Sequence, residues 1–185
     1  MPNESQQEQP SILLHALKWG MYLGALMVMT VFLLLEINYK ILAEFKTGFL
    51  IILIVLGFTI YGGINLRNRS DGFLNYGESF RHGFVMMAVG GFIYSIYNML
   101  LYTVIATELP GKLIEVSVQK KEIELNAIGE AKEIIASAVE SVRKSGAAKY
   151  SISGVLTGYP IVLFFYAVCA LITALFVRKS KPEFT

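Results

Sequence analysis

Of the 185 residues only 16% are charged and 55% are hydrophobic, whereas an ordinary globular domain carries roughly 25% charge, so a soluble fold of this length would lack the polar surface to cover itself. The net charge of +2, from 16 basic and 14 acidic residues, excludes the clustered Lys and Arg footprint of a nucleic-acid-binding protein. Cys169 is alone, which excludes an internal disulfide or a thiolate metal site within one chain.

In chain order, residues 1–11 form a polar tail with Glu4 and Glu8. It lacks the basic start and cleavage site of a secretory signal, so the apolar run behind it is read as a retained first span. Four runs without Asp, Glu, Lys or Arg follow, at 19–35, 47–66, 83–107 and 150–177. Crossing a hydrocarbon core takes about 20 helical residues, and the runs are too long and too uniformly apolar for alternating barrel strands. The expectation is an all-α membrane protein with four transmembrane helices at about 16–35, 47–66, 80–107 and 153–177, in one membrane domain over 12–181 with a tail at 182–185.

Basic residues set the orientation. Lys18, Arg67, Arg69, Arg81, Arg178, Lys179 and Lys181 fall on one side of such an arrangement. The other side holds Lys40, Lys46 and the segment 108–149, whose seven basic and seven acidic residues cancel. Positive residues near span ends mark the cytoplasmic side, so both termini are expected inside and 108–149 outside.

The 67–82 connection contains the turn cluster Ser70-Asp71-Gly72. It is followed by Asn75-Tyr76-Gly77-Glu78, the spacing of a capping box that starts a helix near Tyr76. In the segment 108–149, Pro110 suits a first helical turn. Ile128, Ala131, Ile134, Ile135, Ala138, Val139 and Val142 recur on one helical face. Lys120, Lys121 and Glu124 would intrude on that face if one helix ran through, and Asn126 and Gly129 offer a left-handed break. A helical hairpin with a stop at Gly146 is therefore expected outside the membrane, with one long interfacial helix as the alternative.

Small residues recur at four-residue spacing in Gly20/Gly24, Gly91/Ser95, Gly154/Gly158 and Ala170/Ala174. Such faces let helices approach closely, either within one bundle or between copies in a homo-oligomer. Tyr94, Asn98 and Tyr102, with Ser95 beside them, form a polar face on the third span, and Tyr61 and Asn65 do something similar on the second. Interhelical hydrogen bonding is one reading of that face. A substrate path of a transporter is the other, favoured by Gly158 and Pro160 breaking up span four and opposed by the absence of an ionisable residue deep in any span. His15, Glu78 and His82 lie at the inner membrane edge. They read as interfacial anchors in preference to a metal set, whose spacing they do not show. No nucleophile motif or phosphate-binding loop is present, and Gly62-Gly63 lacks the Lys-Ser/Thr ending such a loop needs. No cofactor is expected.

The string Tyr61-Gly62-Gly63-Ile64-Asn65-Leu66-Arg67 is followed by Asn75-Tyr76-Gly77-Glu78-Ser79-Phe80-Arg81-His82-Gly83. With the Leu109-Pro110 start of the charged helical segment, its mid-point Gly129 and the basic tail after span four, the order resembles an uncharacterised Bacteroidetes membrane-protein family, the domain of unknown function numbered 4199. The resemblance covers about residues 12–181. It implies a four-span inner-membrane protein and no assigned activity. The functional expectation is a non-enzymatic structural or interaction protein of the bacterial cytoplasmic membrane. Its partners would be the lipid bilayer and a protein met through the external segment. The alternative is a small-molecule transporter or permease subunit working through Tyr94, Asn98 and Tyr102.

Overall fold

The computed structural model describes residues 11–180, and what was expected of the rest of the two tails, with Glu4, Glu8 and Lys181, lies outside the described residues. Six α-helices run in order: α1 Ile12–Asn38, α2 Phe45–Arg69, α3 Tyr76–Leu100, α4 Leu109–Ala127, α5 Lys132–Lys149 and α6 Ile152–Val177. A 3-10 turn, Tyr39–Ala43, joins α1 to α2, and a π-helical turn, Leu101–Ile105, ends α3. Four of the helices, α1, α2, α3 and α6, are long and apolar enough to cross a membrane. At 1.5 Å per residue, the 25 residues of α2 extend about 38 Å, past a hydrocarbon core about 30 Å thick.

Local signals place the helix starts. Asn75 accepts from the Glu78 amide while the Glu78 carboxylate accepts from the Asn75 amide, completing the capping box. Ser11 caps α1 and Ser151 caps α6. Between α2 and α3 the chain turns through Asp71 and Gly72, both at positive φ. Pro110 sits in the first turn of α4.

α3 is the central helix. It packs against α1 on one side and α6 on the other, and α2 lies against all three. The core between them holds Leu23, Met27, Val55, Met86, Met87, Tyr166 and Ala170. Large apolar side chains such as Phe32, Leu53, Phe92, Phe164 and Phe176 point outward from the same helices. A helix apolar all round is a membrane pattern, in which lipid tails solvate the outer faces and close packing holds the inner ones.

The two ends of the bundle differ. At one end the loop after α2 returns to the end of α6, where the backbones of Leu74 and Lys179 exchange two hydrogen bonds of 3.0 and 2.8 Å. There the Arg67 guanidinium also donates to the Val177 carbonyl at 2.9 Å. At the other end α4 lies over the bundle. Its Leu109 and Leu113 join Val31 and Leu101 in a second core cluster, and Lys120 reaches Glu44 at 3.9 Å.

α4 and α5 form the helical hairpin, with Gly129 at φ +76° in the turn between them. Only part of the expected apolar face of α5 meets α4. Ile135 is buried and Ala138, Val139 and Val142 are half-buried, but Ile128, Ala131 and Ile134 are exposed. Gly146 does not stop the helix, which continues to Lys149. Its missing side chain instead leaves room for Ile114 of α4, whose Cγ1 would lie 2.7 Å from a Cβ there. The Arg143 guanidinium pairs through both nitrogens with the Glu115 carboxylate across the hairpin, a bond that raises the Arg143 pKa above its usual value.

α6 runs unbroken through Pro160, which departs from the expectation of a broken fourth span. Flanking turns carry the helix past the proline, although its ring removes one backbone donor.

Candidate functional site: a crevice on the hairpin side and a buried histidine pair

α2 and α6 touch near the end away from the hairpin, where a Cβ on Gly63 would sit 2.6 Å from a Val177 methyl. Toward the hairpin, residues of both helices line a crevice of about 460 Å³. Its floor includes Tyr94, Ser95, Asn98 and Tyr102, so the polar face of span three lies in a cavity. Its walls are apolar, from Ile51, Ile52 and Val55 on α2 and Val155, Val162 and Phe165 on α6. Lys149, the last residue of α5, and Tyr150 after it stand at the hairpin end, and no Asp or Glu is among the lining residues. The volume falls within the range of small-molecule sites, about 300–1,000 Å³.

Backbone geometry aims the floor. The π-helical turn, in which the Ala106 amide donates to the Leu101 carbonyl at 2.8 Å, carries Tyr102. Such wide turns are frequent at functional sites. Tyr102 and Tyr150 then meet edge to face, with ring centroids 5.0 Å apart. The Lys149 ammonium lies 5.3 Å from the Tyr150 ring centroid and forms no salt bridge among the described residues. Burial pushes the Tyr150 pKa up, so this phenol keeps its proton. The Asn98 amide donates to the Tyr94 carbonyl of its own helix at 2.9 Å. It therefore bridges no pair of helices there. Tyr159 does, donating from α6 to the Ala88 carbonyl of α3 at 2.6 Å.

The small residues divide. A Cβ on Gly20 would lie 2.7 Å from Val89, and one on Gly24 2.8 Å from Ile93, so the α1–α3 contact depends on both. A Cβ on Gly91 would collide with the Tyr166 ring, and one on Gly154 with the Ala148 carbonyl. Ala170 and Ala174 are fully buried. Ser95 and Gly158 line the crevice. Gly158 has no neighbour within 4 Å of a Cβ, so it packs against nothing and opens space.

At the other end of the bundle lies a cluster that the sequence did not reveal. His15 Nδ1 of α1 is 2.9 Å from His82 Nε2 of α3, and His15 Nε2 is 3.2 Å from Asn65 Oδ1 of α2. His82 is 1% exposed and His15 8%. Trp19 stacks on His15 with ring centroids 5.7 Å apart. The amide fixes the tautomers. With Oδ1 facing His15, Nε2 of that ring donates to Asn65, and its Nδ1 accepts from His82 Nε2. His82 Nδ1 then has no partner, and reversing the amide leaves the same atom unpaired. Glu78 is held in the capping box and does not join the histidines. Among the described residues no group of three or more His, Cys, Asp or Glu converges. The two histidines are 67 positions apart in sequence, and no spacing could signal their pairing.

No curated protein and no solved structure matches the chain. The model of the family described as a protein of unknown function, DUF4199, matches residues 18–179, and the chain belongs to that family.

Proposed function

We propose that this integral membrane protein is a non-enzymatic binding protein that takes a small amphiphile from the bilayer into the crevice between α2 and α6. One observation carries the reading. A cavity flanked by two membrane-crossing helices has apolar walls and a floor of phenol, hydroxyl and amide groups. Such a mixed lining suits a molecule with a hydrocarbon part and a polar part. This is the binding half of a transporter, reached through Tyr94, Asn98 and Tyr102. The basic residues Lys18, Arg67, Arg69, Arg81, Arg178 and Lys179 belong to the end opposite the hairpin, which supports cytoplasmic termini and a crevice on the outer half of a bacterial inner membrane. Native mass spectrometry of the protein released from mild detergent tests the proposal. The protein should carry a bound amphiphile that Gly158→Trp displaces. An unliganded protein, or a ligand indifferent to Gly158→Trp, refutes it.

A second reading, recruitment of a protein partner by the hairpin, is favoured by the exposed Ile123, Ile128 and Ile134 around the hairpin turn. Ile134→Asp should then remove a partner crosslinked in native membranes while leaving the crevice ligand in place. Capture of the same partner by the variant removes the reading.

A further inference from the structure

Resting on the crevice reading, we propose that the ligand is an anionic single-chain amphiphile, such as a long-chain fatty carboxylate. Its head meets Lys149, Tyr150 and Tyr102, and its chain lies between α2 and α6.

Charge decides the head. Lys149 is the only ionised group in the lining, no carboxylate offsets it there, and it has no salt-bridge partner among the described residues. At that end stand also the phenols of Tyr102 and Tyr150, which donate O–H bonds as the ammonium donates N–H bonds, and the Thr47 hydroxyl, whose proton goes to the Ile41 carbonyl. A lining that presents donors and one cation is matched by a group that only accepts and carries negative charge, and such charge-assisted bonds are roughly twice as strong as neutral ones.

Depth decides the polarity. Lys149 and Tyr150 precede Ile152, the first residue of α6, so they lie at the membrane surface on the hairpin side. Tyr94 lies eight residues before Tyr102 on α3, about 12 Å deeper by helical rise. The apolar walls extend past it to Tyr166 and Cys169. A molecule with its head at Lys149 points its tail toward the bilayer centre, as a lipid of that leaflet does, and it enters sideways without inverting.

Volume decides the number of chains. A water-sized group occupies about 30 Å³, so about 460 Å³ holds roughly fifteen such groups. That is the scale of one long hydrocarbon chain with its head. Gly158 contributes to this room, because nothing stands where its side chain would be.

The test uses the intact protein in vesicles of neutral phosphatidylcholine with three photoreactive probes. They are a diazirine-bearing palmitate, the matching monoglyceride, and a phosphatidylglycerol with the same diazirine chain. Labelled peptides are mapped by mass spectrometry. Palmitate should label 47–56 and 154–169 above both other probes. Lys149→Gln should cut that labelling about fivefold, the effect of one basic residue near a membrane surface. Gly158→Trp, and the smaller Gly158→Leu, should abolish it. If labelling of these segments survives both Gly158 variants, the crevice is not the site and the function proposed above fails with the inference. If the Gly158 variants abolish labelling but Lys149→Gln does not reduce it, or the monoglyceride labels as well as palmitate, the crevice reading stands and the anionic head is overturned. Stronger labelling by phosphatidylglycerol overturns the single chain.

Discussion

Replacing His15 alone should destabilise the protein more than replacing both histidines of the buried pair. In the intact pair one buried nitrogen, His82 Nδ1, lacks a partner. His15→Leu removes the ring that meets His82 Nε2 at 2.9 Å, leaving both nitrogens of a side chain that is 1% exposed unpaired. Each buried polar group left unsatisfied costs about 1–3 kcal/mol, so His15→Leu should cost at least that much. His82→Leu exchanges one orphan for another. It strands His15 Nδ1 but removes His82 Nδ1, and the net change should be small. The double variant removes both rings with their orphan nitrogens and leaves only the half-buried Asn65 amide without its His15 partner, as His15→Leu alone also does, and replacing both partners of a hydrogen bond by apolar groups can be nearly neutral. Adding His82→Leu to His15→Leu should therefore restore at least about 1–3 kcal/mol. The assay is equilibrium unfolding of the four proteins in mixed micelles with increasing denaturing detergent, followed by the fluorescence of Trp19, the only tryptophan. A double variant less stable than His15→Leu alone would show that the rings do not depend on each other, and the paired-tautomer reasoning would be wrong.

Gly91→Ala should cost about 1–3 kcal/mol, because its Cβ collides with the Tyr166 ring and overpacking has that magnitude. Gly158→Ala should be neutral or stabilising by up to about 1 kcal/mol, since it faces open space and removes a helical glycine. Equal losses in thermal unfolding would mean that both glycines pack alike. Gly129→Ala should cost about 1–2 kcal/mol, the strain of a side chain at φ +76°, and should speed amide exchange in α4 and α5 while leaving α1–α3 unchanged. A cysteine at the exposed Ser137, with Cys169 replaced, should react with an impermeant thiol reagent in intact spheroplasts. Silence there, with labelling at Asp71, reverses the orientation.

The four spans were legible because a hydrocarbon solvent imposes one local requirement, about 20 successive residues without charge, and composition alone reports it. The capping box at Asn75 and the left-handed turn at Gly129 were legible for a similar reason, since both are satisfied by residues a few positions apart. Gly146 shows where such local reading ends. Glycine is suited both to stopping a helix and to letting another approach, and only the position of Ile114 selects between them. The same holds for the small residues on the spans. Their spacing indicated close approach, but not that Gly24 receives Ile93 while Gly158 faces open space.

The candidate site divides in the same way. Sequence periodicity placed Tyr94, Asn98 and Tyr102 on one face, because one helix carries all three. Whether that face met a neighbour or a cavity depended on how α2 and α6 lie along their lengths, which is set by contacts such as Gly63 with Val177, far apart in the chain. The histidine pair is the extreme case. His15, Asn65 and His82 come from three different helices, and their hydrogen bonds exist only once the bundle has packed. The sequence by itself determined that the chain lives in a bilayer and that helices start near Tyr76 and at Leu109-Pro110. Tertiary structure decided which polar groups meet, because lipid satisfies the outside of every span equally and leaves the choice of partners to the fit of side chains inside.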